Sequence, residues 1–213
     1  METQECVIIT VKKLLRCNIN NNKTKQNKKK TRIKKKRPNL GVVFDKHVKC
    51  EFQDHDVDAT MKTMVKQPYL HHVSMMTGGI GYDSVYNFYK NHFVGKMPED
   101  TKIERISRTV GKDQVVDELI LKFTHSREID YLIPGVAPTG KYVELAHVVV
   151  MKFVGDKIAH EHIYWDQASL LAQIGLLDAN ALPVKGIEQA RKLQELATSS
   201  GTNTTTANHR RTI

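Results

Sequence analysis

The stretch KYVELAHVVVMKFVGDKIAHEHIYWDQAS, residues 141–169, decides the fold. Its first part contains two runs rich in Val, Ile, Leu and Phe, Lys141–Val154 and Lys157–Asp166, which are typical of β-strands. Between them stands Gly155-Asp156, a short linker of the kind that closes a β-hairpin. From Gln167 the apolar residues return at helical spacing. The sequence therefore predicts two long antiparallel strands followed directly by a helix.

The regions upstream and downstream extend this pattern. Two more strand-like runs, residues 102–110 and 114–125, come before the hairpin and are separated by the turn sequence Gly111-Lys112-Asp113. Residues 69–73 read as a short strand that leads into a Gly-rich turn at residues 78–81. Helical periodicity appears in three further stretches, residues 47–65, 83–95 and 186–197. Helices first, then an antiparallel meander, then a closing helix indicate the α+β class rather than an alternating βαβ fold.

Most of the positive charge lies outside the predicted domain. The chain carries +10 at pH 7, but 13 of its 33 Lys and Arg fall in residues 1–40, against only Glu2 and Glu5. The rest of the chain holds 20 basic and 21 acidic residues and is close to neutral. Residues 18–37 are almost wholly Asn, Lys, Thr, Gln and Arg, and such a composition buries too little apolar surface to offset chain entropy. We expect three parts, a disordered basic tail at 1–40, one folded domain at 41–197 and a disordered Thr- and Ser-rich tail at 198–213.

The cysteines and the hydropathy bear on location. Cys6, Cys17 and Cys50 are odd in number and match neither a disulfide framework nor a C-x-x-C motif, which favours a reducing compartment. No run approaches the roughly 18 uninterrupted apolar residues that span a bilayer. We therefore expect a cytoplasmic protein without a membrane partner, and the Lys/Arg-rich tail adds nuclear import as an alternative.

A series of short phrases connects the chain to a known family. They are PYLHHV (68–73), TGGIG (77–81), SRTVG (107–111), VDE (116–118), FTH (123–125), PGVAPTGK (134–141) and HEHIYWDQAS (160–169). In this order they resemble the SnoaL-like branch of the nuclear transport factor 2-like superfamily, in particular its predicted aldol-condensation-catalysing members, which are related to polyketide cyclases. The resemblance covers about residues 47–195.

Membership of that family implies a cone of antiparallel sheet wrapped around helices, with a ligand pocket at the open end. In related cyclases an Asp at the end of the last long strand is the acid/base, and Asp166 stands at the matching place. His125 matches a Thr-His near the pocket of many relatives, and His72 matches another family position. The resemblance therefore names Asp166 and His125 as catalytic candidates, and it implies a homodimer formed through the exposed face of the sheet.

Asp166 also has a purely structural interpretation. An Asp directly before Gln167-Ala168-Ser169 is a favourable N-cap for the following helix, and a cap and a catalytic role can coexist. Alternation along the strand places His160, His162, Tyr164 and Asp166 on one face, with Glu161, Ile163 and Trp165 on the other, unless a bulge intervenes. A carboxylate in a cavity of low polarity can remove a proton next to a carbonyl if nearby donors stabilise the enolate oxygen.

Six other side chains are candidates for substrate binding, namely His72, Tyr86, His147, His162, Tyr164 and Trp165. A lone His on an apolar strand face is more often a hydrogen-bonded core residue than a ligand contact, and Trp165 and Tyr86 are more often wall or core. Arg108 and Asp117 read as a structural salt bridge between neighbouring strands.

His160-x-His162 together with Glu161 could suggest a metal site, but no third ligand stands at a diagnostic spacing, so we expect neither a metal nor another cofactor. The sequence also lacks a G-x-S-x-G motif, a phosphate-binding loop and a dinucleotide-binding fingerprint.

These observations favour a cofactor-independent enzyme that carries out acid/base chemistry next to a carbonyl of a small organic substrate, of the aldol-condensation/cyclase, lyase or isomerase type. The alternative is a non-catalytic small-molecule-binding or dimerisation module, because one fold hosts both kinds of function. The expected partners are the substrate and a second copy of the chain. Nucleic acid is a partner only through the basic tail, which lacks the aromatic residues of a specific binding surface.

Overall fold

The computed structural model describes residues 38–205, with side chains up to residue 199. The basic run that ends at residue 37 and the C-terminal residues 206–213 lie outside the described residues, so the disorder expected there stays a prediction. The described part has five α-helices, α1 (Leu40–Phe52), α2 (Val57–Lys62), α3 (Tyr82–Phe88), α4 (Gln167–Ile174) and α5 (Glu188–Thr205). A short π-helix, Tyr89–Phe93, continues α3. The strands are β1 (Met64–His72), β2 (Thr77–Ile80), β3 (Lys102–Val110), β4 (Gln114–Thr124), β5 (Tyr142–Val154) and β6 (Lys157–Trp165).

The six strands form one curved sheet in the order β2-β1-β6-β5-β4-β3. Strands β3 to β6 are an antiparallel meander, and β4 pairs with β5 without interruption from Gln114 opposite Lys152 to Thr124 opposite Tyr142. Strand β1 pairs parallel to β6 and antiparallel to β2. The predicted hairpin is confirmed, because Gly155 connects β5 and β6 with a positive φ of 65° that suits glycine. The α+β class and the curved, unclosed sheet expected for the family are likewise confirmed.

Some predicted boundaries were wrong. The single helix expected over 47–65 is two helices, because the chain breaks at residues 53–56, and its last part, from Met64, already belongs to β1. The Gly-rich segment after β1 is a strand instead of a turn. A Cβ on Gly78 would collide with the Leu70 carbonyl, so glycine permits the close pairing of β2 with β1. Helix α5 continues to Thr205, whereas the sequence predicts a disordered tail from residue 198.

The two faces of the sheet have different environments. Val143, Leu145 and His147 of β5 point inward and are buried, whereas Val148 and Val154 point outward and are 37% and 64% exposed. Helix α1 packs on the inner face against β4. Helix α5 packs on the outer face of β5, where Arg191 donates to Glu144 at 2.9–3.0 Å. The inner face and helices α1 to α3 enclose the apolar core.

No helix within residues 38–205 has the length and apolarity that crossing a membrane requires.

Candidate functional site

A small chamber lies between helix α1 and the inner face of the sheet. Its volume is about 70 Å³, and its polar lining consists of Glu51 from α1, His72 from β1, Tyr131 from the β4–β5 loop, His147 from β5 and Glu161 from β6. A larger cleft of about 730 Å³ shares several of its lining residues, including Val48, Glu51, Phe52 and Leu119. The cleft therefore lies next to the chamber.

A cluster of buried polar groups lies beside the chamber, and its two carboxylates, Glu51 and Glu161, are part of the chamber lining. His47 and Glu51 stand four residues apart on α1, which places both side chains on the same helix face. Nε2 of His47 lies 3.0 Å from Oε1 of Glu51 and 3.0 Å from Oε1 of Glu161. The hydroxyl of Tyr89, in the π-helix, donates to Glu161 at 2.8 Å. His47, Glu51 and Glu161 are 0%, 5% and 3% exposed, so water screens these charges very little. We call His47, Glu51, Glu161 and Tyr89 the buried cluster.

The orientation of the His47 ring is fixed from behind. Nδ1 of His47 lies 2.5 Å from Oγ1 of Thr63, and that hydroxyl donates its hydrogen to the carbonyl oxygen of Thr60 at 2.6 Å. Because the single hydrogen of the Thr63 hydroxyl is used in this way, Nδ1 of His47 must be the donor. The other ring nitrogen, Nε2, is therefore the one that faces both carboxylates.

The buried cluster has strongly shifted acidities. Burial by itself lowers the pKa of His47, but the negative charges of Glu51 and Glu161 and their hydrogen bonds outweigh it, and the net pKa is well above the usual value. Burial raises the pKa of Glu51, against the lowering effect of His47. Burial, together with the two carboxylates, raises the pKa of Tyr89 well above its usual range. At neutral pH His47 thus keeps a proton that a histidine in water would mostly release.

Two neutral histidines complete the chamber. Burial lowers the pKa of His72 to about 3 and that of His147 to about 4, so both imidazoles are uncharged at pH 7. Nδ1 of His147 donates to the Leu145 carbonyl at 3.1 Å, which leaves its Nε2 as an acceptor. Nδ1 of His72 is buried without a hydrogen-bond partner, and the His72 side chain is part of the chamber lining.

Asp166 caps helix α4. Its Oδ1 accepts hydrogen bonds from the backbone N–H of Ala168 at 2.9 Å and Ser169 at 3.2 Å, and its Oδ2 accepts from Gln189 at 2.9 Å. The structural interpretation of Asp166 is thus confirmed. The residue lines a shallow surface groove with Tyr164 and Leu193 and is absent from the lining of both chamber and cleft. A catalytic role for Asp166 stays a prediction.

The strand alternation that the sequence predicts for β6 is correct, but its His-bearing face points outward. Tyr164 is 44% exposed, and Nε2 of His162 lies 3.0 Å from the hydroxyl of Tyr69 on the outer face. His160 stacks on the same tyrosine with ring centroids 4.5 Å apart. Glu161 and Ile163, from the opposite face, line the chamber. The substrate contacts predicted for His162 and Tyr164 have no counterpart among the chamber residues.

The other predicted side chains are distributed between wall and surface. Trp165 is buried and stacks on His147 with centroids 5.5 Å apart, so it supports the chamber histidine from behind. His125 is buried in contact with Thr139, 3.1 Å from Nδ1, while its Nε2 lacks a partner, and it lines neither the chamber nor the cleft. Tyr86 lines a shallow surface depression near Lys90. Of the eight predicted site residues, the structure brings His72 and His147 together in the chamber.

Arg108 and Asp117 form the predicted salt bridge between neighbouring strands. They stand opposite each other on β3 and β4 and are joined by two hydrogen bonds of 2.6 Å. The guanidinium also contacts Asp45 at 2.8 Å and lies over the ring of Phe44 at 4.6 Å. The pair lines the cleft next to the chamber.

Sequence reasoning missed His47 and Glu51 altogether and left Glu161 without a role. The signal for the first two was an H-x-x-x-E spacing inside a helix, which also occurs on many solvent-facing helices. The signal for Glu161 was its place on the face shared with Ile163 and Trp165. An acidic residue between two apolar neighbours on one strand face is a buried carboxylate, and buried carboxylates need partners.

The comparisons with known proteins agree with the fold described above. The family model of the SnoaL-like polyketide cyclases matches residues 46–174. AclR from Streptomyces galilaeus is similar in structure, with 19% identity, a TM-score of 0.51 and coverage of 65% of this chain and 85% of that one. A SnoaL-like protein from Shewanella putrefaciens gives 12% identity, a TM-score of 0.53 and coverage of 66% and 88%.

An NTF2-like protein from Burkholderia pseudomallei is also similar, with 13% identity, a TM-score of 0.50 and coverage of 65% of this chain and 98% of that one. At these identities the likeness shows the fold alone. No protein of curated function matches the chain. Since the family model covers more than half of the sequence, the chain belongs to the SnoaL-like polyketide cyclase family.

Proposed function

We propose that this protein is an enzyme that transfers a proton next to a carbonyl group of a small organic substrate, in a reaction of the aldol-condensation/cyclase, lyase or isomerase type. One observation carries the proposal: two buried carboxylates, Glu51 and Glu161, and two neutral imidazoles, His72 and His147, line the same chamber. A base and an uncharged hydrogen-bonding group on either side of one cavity are the groups that enolate chemistry requires.

The assignment of roles follows from charge. A carboxylate of the buried cluster accepts the proton from the carbon next to the carbonyl, which leaves an enolate. The enolate oxygen then accepts a hydrogen bond from the ring N–H of His72, because the N–H of His147 is already donated to the Leu145 carbonyl. Burial raises the pKa of Glu51, and a base of raised pKa is better matched to a weakly acidic C–H proton.

The size of the chamber limits what enters it. A volume of about 70 Å³ corresponds to roughly two water molecules at their share of the liquid volume. Only the carbonyl end of a substrate fits there, and the remainder lies in the cleft of about 730 Å³ beside Arg108 and Asp117. The proposal therefore favours substrates with a narrow carbonyl-bearing end and a larger body.

The test is proton exchange and turnover on a panel of β-dicarbonyl compounds. NMR in D₂O reports the loss of the proton between the carbonyls, and product analysis reports condensation. We expect Glu161→Gln and Glu51→Gln, which keep side-chain shape, to lower the rate by about 10²–10⁴-fold, as for removal of a general base. Asp166→Asn, whose side chain lies outside the chamber, is the matched control and should keep the wild-type rate within about tenfold.

Two other results would redirect the proposal. Loss of turnover in Asp166→Asn with full turnover in Glu161→Gln would move the chemistry to the outer groove, as the sequence first suggests. A dicarbonyl compound that binds in the chamber without proton exchange would favour the non-catalytic binding module.

We also propose, as an expectation from the family, that the protein forms a homodimer through the outer face of the sheet. Val148 of β5 and Tyr164 of β6 lie opposite each other on the outer face of the sheet and are 37% and 44% exposed, beside the part of that face that α5 covers. Light scattering should give twice the chain mass, and Val148→Lys should halve it. Nucleic-acid binding through the basic tail and a cytoplasmic or nuclear location concern residues outside the described range and stay predictions.

A further inference from the structure

We propose that His47, Glu51 and Glu161 form a binding site for one divalent transition-metal cation. The inference rests on the proposed function and deepens it, because Glu51 and Glu161 also line the chamber in which the chemistry is placed.

The donor atoms are spaced as metal ligands are. One atom each from His47, Glu51 and Glu161 lie within 4.8 Å of one another, and the imidazole nitrogen is 3.0 Å from each carboxylate oxygen. Ligands bound at about 2.0–2.2 Å on neighbouring positions of a Zn²⁺ ion stand about 3 Å apart. The two distances from the imidazole nitrogen therefore already match the spacing of neighbouring metal ligands.

Thr63 holds His47 in the form that a metal ligand needs. A ligating histidine usually donates its second ring N–H to a fixed acceptor, which sets the tautomer and the ring orientation. Here Nδ1 donates to Thr63, whose hydroxyl is in turn held by the Thr60 carbonyl. The lone pair of a neutral His47 would thus lie on Nε2, which points at both carboxylates.

The charge balance also favours a divalent cation. A neutral imidazole and two carboxylates carry −2, and a cation of +2 brings the buried site to zero. With a proton on Nε2 in place of the cation, the same three groups carry −1 in a region that water does not reach. Removing uncompensated charge from a low-dielectric interior is favourable, so the site prefers +2 to a single proton.

The chemistry of the donors selects the class of ion. One imidazole and two carboxylates suit Zn²⁺, Fe²⁺ or Mn²⁺, whereas Ca²⁺ and Mg²⁺ prefer six or more oxygen ligands. Three protein ligands leave a position for a substrate oxygen, as in catalytic rather than structural sites, and Glu51 and Glu161 line the chamber from which that oxygen would come. A cation there would polarise the substrate carbonyl, and the second oxygen of each carboxylate would stay available to accept the proton.

The outer-face histidines provide a contrast. His160 and His162 stack with ring centroids 4.6 Å apart, but among the described residues only the His47 group brings three donor side chains together. The two outer-face histidines therefore serve as the control for the experiment, because β6 contributes residues to both sets.

The experiment uses the full-length, untagged chain after chelator treatment and dialysis. Zn²⁺ is titrated by calorimetry, and Co²⁺ is added separately to record its visible absorption, which reports nitrogen and oxygen ligation. We expect one equivalent of Zn²⁺ in the wild type and in the His160→Gln/His162→Gln control. Glu161→Gln and His47→Gln should bind at least about 100-fold more weakly, and Thr63→Val, which removes only the partner of Nδ1, about 10–100-fold more weakly.

Each result of this experiment either supports or overturns the proposed metal site. Absence of Zn²⁺ and Co²⁺ binding to the wild type overturns the inference, as does binding that persists in Glu161→Gln and disappears in the outer-face double variant. Circular dichroism verifies that each variant is folded, and Glu51→Gln replaces any variant that is not. Turnover of chelator-treated protein separates the two proposals. If the protein transfers protons but binds no metal, the metal site is wrong and the proposed function stands. If it binds metal but transfers no proton on any substrate, the proposed function is wrong and the metal site stands.

Discussion

Strand β6 carries two sets of polar side chains that lie one residue apart in sequence and in opposite environments. Glu161 points inward, is 3% exposed and contacts His47 and Tyr89. His162 points outward, is only partly buried and bonds the hydroxyl of Tyr69. The sequence names His162 but not Glu161 as a candidate for substrate binding, and the structure buries Glu161 more deeply than His162. Functional chemistry therefore has to be sought on the face where a charge cannot be solvated by water.

On the inner face of the sheet, burial alone does not decide whether the pKa of a histidine is raised or lowered. The pKa of His47 is raised because two carboxylates face it, whereas burial without such partners lowers the pKa of His72 and His147. Three buried histidines thus divide into one that holds a proton and two that reject it. Partners, more than depth, decide which histidine is charged.

The largest expected effect comes from removing the inward carboxylate. In chelator-treated protein, Glu161→Ala leaves the buried His47 with one carboxylate partner fewer, and breaking a buried pair in this way costs about 3–5 kcal/mol of stability. Denaturant unfolding measures the change. Glu195→Ala, which breaks an exposed pair with Lys192, is the control and should cost about 1 kcal/mol or less. Equal losses in the two variants would remove the distinction between inner and outer carboxylates.

The second effect is a pH dependence from His147. Its pKa is about 4 in the folded protein and near 6.5 when unfolded, so between these values the unfolded chain binds a proton that the folded chain does not. Above about pH 6.5 the titration of His147 does not affect the free energy of unfolding. As the pH drops toward 4, that free energy falls by about 1.4 kcal/mol per pH unit and by roughly 3 kcal/mol in total. The free energy of unfolding of the wild type minus that of His147→Phe should fall by that amount between pH 7 and pH 4. Parallel curves would show that His147 is not kept neutral by the fold.

The part of the molecule that sequence predicts well is the part governed by local rules. The Gly155-Asp156 hairpin, the cap at Asp166 and the pairing of Arg108 with Asp117 each depend on a few neighbouring residues or on strand register, and all three are confirmed. Alternation along β6 is also correct. What alternation cannot say is which of its two faces the rest of the chain covers.

The part that sequence misses depends on contacts between distant residues. His47 and Glu161 are 114 positions apart and meet because α1 packs over the inner face. The parallel pairing of β1 with β6 likewise joins residues that no local pattern connects. The continuation of α5 to Thr205 was missed for a different reason, because its Thr, Ser and Gly residues have low helix propensity.

A third, smaller effect tests the cap at Asp166. Asp166→Ala removes the acceptor for two backbone N–H groups of α4 and should cost about 1 kcal/mol, within the range of about 0.5–2 kcal/mol for lost N-caps. Asp166→Asn keeps an oxygen acceptor and should retain most of that stability. Thermal unfolding of the two variants beside the wild type measures both. An equal loss in Asn and Ala would show that the carboxylate charge, rather than the capping oxygen, stabilises this region.

The smallest effect is expected on the outer face of β6. His162→Ala removes one hydrogen bond to Tyr69 and part of a ring stack on a partly exposed surface, so we expect a loss below about 1 kcal/mol. The loss of unfolding free energy in Glu161→Ala, one residue away, should then exceed that in His162→Ala by about 2 kcal/mol or more. Unfolding is measured at two protein concentrations, because a homodimer formed through this face would make the cost of His162→Ala grow with concentration. A cost equal to that of Glu161→Ala and independent of concentration would mean that this surface is buried within one chain, contrary to the fold described above.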